Sequence, residues 1–199
     1  MDFNPGEMDD NEKVDLSTTQ NVKWVAKLGS QAYGNVTIGN GCVFVGTNNE
    51  SPRDPKKKGD RGVVLCLDEK TGELKWQLVI PKLGAGKVSD WEYIGVCSSP
   101  AIDGDKVYVV TNRCEVVCLD IHGLTNGNDG PYKQEAEYVK PKGMEDPLDE
   151  KLDADILWMY DMRDELGVFP HNVTSSSALI AGDRVYVATS NGVDWSHTT

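Results

Sequence analysis

The sequence predicts an all-β fold: a β-propeller of four-stranded antiparallel blades, present here as about two full blades and parts of two others. Three recurrences predict it. A hairpin pattern occurs three times, as Ile38-Gly-Asn-Gly-Cys-Val-Phe-Val45, Ile102-Asp-Gly-Asp-Lys-Val-Tyr-Val109 and Ile180-Ala-Gly-Asp-Arg-Val-Tyr-Val187. Each copy reads as a strand, a tight Gly/Asp turn and a second strand with a central aromatic. A β-rich run ending in Leu-Asp occurs twice, as Gly62-Val-Val-Leu-Cys-Leu-Asp68 and Glu115-Val-Val-Cys-Leu-Asp120. Tryptophan-bearing segments stand at Val22-Lys-Trp24, Leu74-Lys-Trp76 and Ile156-Leu-Trp158. Strand, turn, strand, loop, strand, turn and Trp strand make one four-stranded unit, the plan of a propeller blade.

In chain order, residues 1–21 read as an acidic disordered lead-in. Residues 22–28 read as a lone Trp-bearing strand that closes the last blade of a complete ring. Blade one spans 35–80 and blade two spans 97–162, the latter carrying an insertion at 121–155. Blade three begins at 172 and is cut off by 199. Repeat units do not bury their faces alone, so the chain reads as the N-terminal part of a longer protein.

Two insertions break the rhythm. Eight positions separate Asp68 from Trp76, but thirty-eight separate Asp120 from Trp158. The second span contains Asn126-Gly-Asn-Asp-Gly130, which faintly echoes a calcium loop but lacks its leading Asp and its distal Glu. A turn is the preferred reading. Glu50 to Arg61 lengthens the first blade's middle loop, and strand direction puts the two insertions on opposite faces. The Lys56-Lys57-Lys58 run in that loop, with Arg53 and Arg61, reads as solvated.

A formal net charge of −12 argues against a nucleic-acid backbone as partner. No apolar run reaches the ~18 to 20 residues of a membrane span. Met1 to Gln20 lacks the basic start and apolar centre of a signal peptide. The five cysteines are an odd number and read as buried free thiols, with Cys114 and Cys118 placed on one strand.

Function in repeat folds gathers on the loops of one face. That face collects Tyr33-Gly-Asn35, the Tyr93 to Ser99 segment and Pro170-His171-Asn172. It also collects Thr47-Asn48-Asn49, Thr111-Asn112-Arg113 and Thr189-Ser190-Asn191. The candidate ligand-binding residues are therefore Tyr33, Asn35, Asn48, Asn112, Arg113, His171, Asn172 and Asn191. The three polar triplets occupy one repeat position, so a turn role stands beside the ligand role. No catalytic or metal-binding residue is assigned: phosphate-loop, H-E-x-x-H and G-x-S-x-G patterns are missing.

The run Val64-Leu-Cys-Leu-Asp-Glu-Lys-Thr-Gly-Glu-Leu-Lys-Trp76 resembles the quinoprotein-type (pyrroloquinoline quinone-like) repeat. Ser99-Pro-Ala-Ile-Asp-Gly-Asp-Lys-Val-Tyr-Val109 is similar to that family's first hairpin. The resemblance implies Trp residues packed between blades, a ring of about seven or eight blades and a periplasmic or cell-surface location. In character the chain is closest to non-catalytic members such as the outer-membrane assembly lipoprotein, which implies protein partners or the remaining blades, and no cofactor. The alternative is a quinoprotein dehydrogenase oxidising an alcohol or sugar with pyrroloquinoline quinone and calcium. The alcohol-oxidising branch has adjacent cysteines, and no two are adjacent here. The sugar-oxidising branch relies on His and Arg, for which His171 and Arg113 stand as candidates.

Overall fold

Alternation along strands decides how the sheets stack. The computed structural model describes residues 2–11, 13–85, 87, 89–140 and 148–189. A small hairpin pairs β1 (Glu7–Met8) with β2 (Val14–Asp15). An antiparallel meander then runs through β3 (Thr37–Gly39), β4 (Cys42–Asn48), β5 (Arg61–Asp68) and β6 (Leu74–Pro81). A second meander of the same order contains β7 (Ala101–Asp103), β8 (Lys106–Val110), β9 (Glu115–Asp120) and β10 (Ile156–Asp161). The hairpin of β11 (Leu179–Ala181) and β12 (Arg184–Tyr186) follows. Short helices α1 (Glu135–Val139) and α2 (Met162–Leu166) lie in the connections. The fold is all-β in character, built of four antiparallel sheets.

Every residue of β4 is buried, because the first sheet is covered on both faces. Cys42, Phe44, Val64, Cys66, Trp76, Leu78 and Ile80 point to one side and meet Val107, Val109, Val117, Leu119 and Ile156 of the second sheet. Val43, Val45, Val63, Leu65, Leu67 and Val79 point to the other side, where Trp24, Ala26 and Leu28 cover them. The second sheet turns Val110 and Val116 the opposite way, toward Trp158, Met162, Val168, Val185 and Val187. A period-two side-chain pattern thus produces continuous apolar runs in strands buried on both faces.

The repeat seen in sequence is a repeat of contacts. Cys66 pairs with Trp76 across β5–β6, and Cys118 pairs with Trp158 across β9–β10. Phe44 lies 5.8 Å from Trp76 at 47°, and Tyr108 lies 6.0 Å from Trp158 at 59°. Trp24 donates its indole N–H to the Glu69 carbonyl at 3.0 Å, and Trp76 donates to the Ile121 carbonyl at 2.8 Å. Each ring lies on a glycine with positive φ. A Cβ on Gly72 would come within 2.6 Å of Trp24, and one on Gly123 within 2.8 Å of Trp76. Only a residue without a side chain allows an indole so close to the turn.

The structure corrects several expectations. Residues 22–28 form no strand; their in-out alternation is strand-like, but they lie across the first sheet's face with no ladder partner among the described residues. Part of the expected disordered lead-in is ordered: β1 and β2 pair, and Asn4 bridges Gln20. Cys114 is not on β9; it sits in the preceding turn with φ 61°, its N–H bonded to the Thr111 carbonyl. All five cysteines are buried free thiols, and burial pushes Cys97 and Cys118 up to about 11.

The two insertions do not stay on opposite faces. The excursion after β9 returns along the free edge of β6, where Gln77 and Asp153 form a parallel bridge. Gln77 N–H donates to Leu152 O at 2.8 Å, and Ala154 N–H donates to Gln77 O at 2.8 Å. Lys57, from the loop after β4, reaches both oxygens of Asp153 at 2.5 Å. Lys57 is therefore fully buried, not solvated, while Lys56 and Lys58 remain exposed. A four-carbon stem lets one charge of a basic run leave the surface and meet a carboxylate far along the chain. The chain's last segment, 190–199, lies outside the described residues.

Candidate functional site

The loops leading into β3, β7 and β11, and those leaving β4 and β8, lie at one end of the sheets because the meanders are antiparallel. Hydrogen bonds lace them together. Asn35 N–H donates to Ser99 Oγ at 2.8 Å, and Ser99 N–H donates to Ser177 Oγ at 2.9 Å. Trp91 N–H donates to the Asn172 carbonyl at 2.8 Å, and Tyr93 N–H donates to Asp60 Oδ2 at 2.9 Å. Lys82 Nζ pins the middle loop: it pairs with Asp90 at 2.6 Å and donates to the carbonyls of Trp91 and Ile94. Burial pushes the Asp90 carboxyl up and Lys82 pulls against it.

Beneath this surface the polar triplets hold backbone. Thr47 Oγ1 donates to Gln31 O at 2.8 Å and accepts from Gly29 N–H at 3.0 Å. Asn48 accepts from Ser30 N–H at 3.0 Å and donates to Tyr93 O at 2.6 Å. Asn112 donates to Pro81 O at 3.2 Å. Glu115, buried at the start of β9, accepts from Thr111 Oγ1 at 2.9 Å, Arg113 Nε at 2.8 Å and Tyr138 Oη at 2.7 Å. Burial, reinforced by Glu115, holds the Tyr138 hydroxyl well above its usual range.

Above it stand four exposed aromatics: Tyr33 (65 %), Trp91 (43 %), Tyr93 (51 %) and Phe169 (40 %). All belong to the loops leading into β3, β7 and β11. Lys87 Nζ lies 5.7 Å over the Trp91 ring, and Tyr93 is held at φ 58°. Large aromatics on loops fixed by hydrogen bonds offer contact area at low ordering cost, the composition of protein-binding surfaces.

Residues 9–123 match the family described as outer membrane protein assembly factor BamB. That is more than half of the chain. The chain belongs to this family. A comparison with curated proteins found no match. The matched span ends at Gly123, so it contains both tryptophan docks, Trp24 on Gly72 and Trp76 on Gly123.

The residues singled out from the sequence separate into two levels in this BamB-family chain. Tyr33, Asn35, His171 and Asn172 are exposed on the loop surface, and Asn172 has φ 63°. Asn48 and Asn112 are buried below it with their side-chain amides donating to backbone, and Arg113 is half-buried against Glu115. Asn191 lies outside the described residues. Trp91 and Phe169 were missed as surface residues, and Tyr93 was noted only as the start of a segment. Their signal was an aromatic within a polar or turn-forming stretch directly before a repeated hairpin. A group of carboxylates, Asp120, Asp129 and Asp155, was also missed; their ligand atoms lie within 4.8 Å of one another. Asp129 lies within the loop read as a simple turn, while Asp120 and Asp155 stand at the two ends of the excursion. No helix among the described residues is long and apolar enough to cross a membrane.

Proposed function

We propose that the chain is part of a β-propeller acting as a non-catalytic binding module, its two meanders and the β11–β12 hairpin serving as successive blades. It holds a protein partner at the face bearing Tyr33, Trp91, Tyr93 and Phe169. The observation that carries this reading is the row of four exposed aromatics on loops tied to one another. The family, named for an outer membrane protein assembly factor, supports a role in protein contact and a place in the periplasm or at the cell surface. The similar docking of Trp24 and Trp76 supports blade stacking, with further blades covering Trp158.

The test places a photo-cross-linking residue at Tyr33 or Tyr93 of the full protein in cells. A discrete protein adduct is expected, weakened at least tenfold by Trp91→Ala with Phe169→Ala and unchanged by Tyr160→Ala on the sheet side. No adduct, or one insensitive to the aromatic pair, overturns the interface. A tryptophan-fluorescence titration with pyrroloquinoline quinone, with and without calcium, addresses chemistry separately. Saturable, calcium-dependent binding there replaces the scaffold reading with a dehydrogenase.

A further inference from the structure

We propose that Asp120, Asp129 and Asp155, with Glu135 in their outer ring, form a calcium-type cation site that fastens the 121–155 excursion to the second sheet. The three aspartates come from the end of β9, a turn inside the excursion and the residue before β10. Their carboxylate oxygens lie within 4.8 Å of one another. Oxygens bound at about 2.3–2.6 Å to one calcium ion stand about that far apart or closer, so a single ion reaches all three.

Orphaned oxygens make this more than an acidic cluster. Asp155 is fully buried; Oδ2 accepts from Asp129 N–H at 2.8 Å, but Oδ1 has no hydrogen-bond partner. Glu135 is 1 % exposed; Oε2 accepts from Asn128 Nδ2 at 2.9 Å, and Oε1 is likewise unpartnered. Buried carboxylate oxygens without a donor carry a large desolvation cost, which a cation offsets. The nearby amine does not do so: Lys133 Nζ donates to Asn128 Oδ1 at 2.7 Å, Asn128 O and Asp129 O, none of them a carboxylate oxygen. Burial first, then Glu135, Asp120 and Asp129, push the Asp155 carboxyl up to about 6, the response of a carboxylate among its own kind.

The donor set selects the ion. Three carboxylates with no His or Cys favour a hard cation over zinc or copper. Exposed Asp129 leaves a route from solvent. Asp120 N–H also donates to Asp155 O at 3.0 Å, so the ion sits where the two ends of the excursion are already joined. Binding there couples the excursion, and through Asp153 the buried Lys57, to the second sheet.

Chelator-treated full-length protein titrated with calcium chloride in a calorimeter is expected to bind one ion per chain, with Kd at or below about 10⁻³ M. The thermal midpoint should rise, and amide exchange across 121–155 should slow relative to protein in EDTA. Asp155→Asn should weaken binding at least tenfold. Asp129→Asn, at the exposed position, should do the same while circular dichroism stays unchanged, which guards against an unfolded Asp155 variant. Absence of heat and of a midpoint shift at millimolar calcium overturns the site. So does wild-type calcium affinity in the folded Asp129→Asn protein.

Discussion

At Trp76 the backbone and the side chain make one demand together. The indole needs both the Ile121 carbonyl and the bare surface of Gly123, whose φ is 61°. Gly123→Ala adds left-handed strain and a Cβ 2.8 Å from Trp76 Cδ1. Gly104→Ala, at φ 56° with nothing within 4 Å, adds the strain alone. Urea unfolding should show a loss of about 1–2 kcal/mol for the Gly104 variant and a clearly larger one for the Gly123 variant. Equal losses would mean that the tryptophan contact carries no stability. Asp155 makes a second residue-scale prediction. Its proton is held more tightly in the folded chain, the carboxyl rising from the usual 3.8 to about 6. Its stabilising contribution is therefore complete below the usual value and disappears as pH rises through about 6. Asp90 and Asp153, also pushed up, act in the same direction. With chelator present, the urea midpoint should fall between about pH 4 and pH 7, and Asp155→Asn should flatten part of that fall.

Among elements, the least obvious tie joins the loop after β4 to the excursion after β9. Lys57 and Asp153 are both buried and paired at 2.5 Å, with Asp54 3.8 Å from the same amine. Removing one partner strands a charge, whereas removing both does not. Lys57→Met should cost about 3–5 kcal/mol in urea unfolding, and Lys57→Met with Asp153→Asn distinctly less than the sum of the singles. Additive losses would show that the two groups do not interact. The same excursion protects an edge: its Leu152–Ala154 backbone bonds to Gln77 on β6, an edge strand that would otherwise present free donors and acceptors.

Across the whole molecule, layers succeed one another: residues 22–28, the first meander, the second meander and the β11–β12 hairpin. The first meander is covered on both sides and holds the two largest fully buried side chains among the described residues, Trp76 and Phe44. Among the described residues, the forward side of the second meander is covered only in part. Trp158 occupies the position of Trp76 but is half-buried, and its neighbours Tyr160 and Leu166 are exposed. A repeat layer equivalent to the second meander is what the geometry offers that side.

Sequence alone determined the recurring parts. Period-two alternation, turn glycines and tryptophans recurring at one position of the repeat specify hairpins, strand order and the side each residue takes, because those properties depend on near neighbours and on a repeated unit. It also identified the loop end where Tyr33, Asn35, His171 and Asn172 emerge. The tertiary structure decided what depends on distant residues meeting. The solvated reading of Lys57 gave way to a buried pair with Asp153, ninety-six positions on. The lone strand at 22–28 became a cover without a ladder, since strand pairing needs a second strand. Asn48 and Asn112, ligand candidates in sequence, lie buried with their amides on neighbouring backbone, and three aspartates from the ends and interior of one excursion converge. Local pattern fixes periodicity; burial, charge pairing and edge coverage are settled only when the layers close on one another.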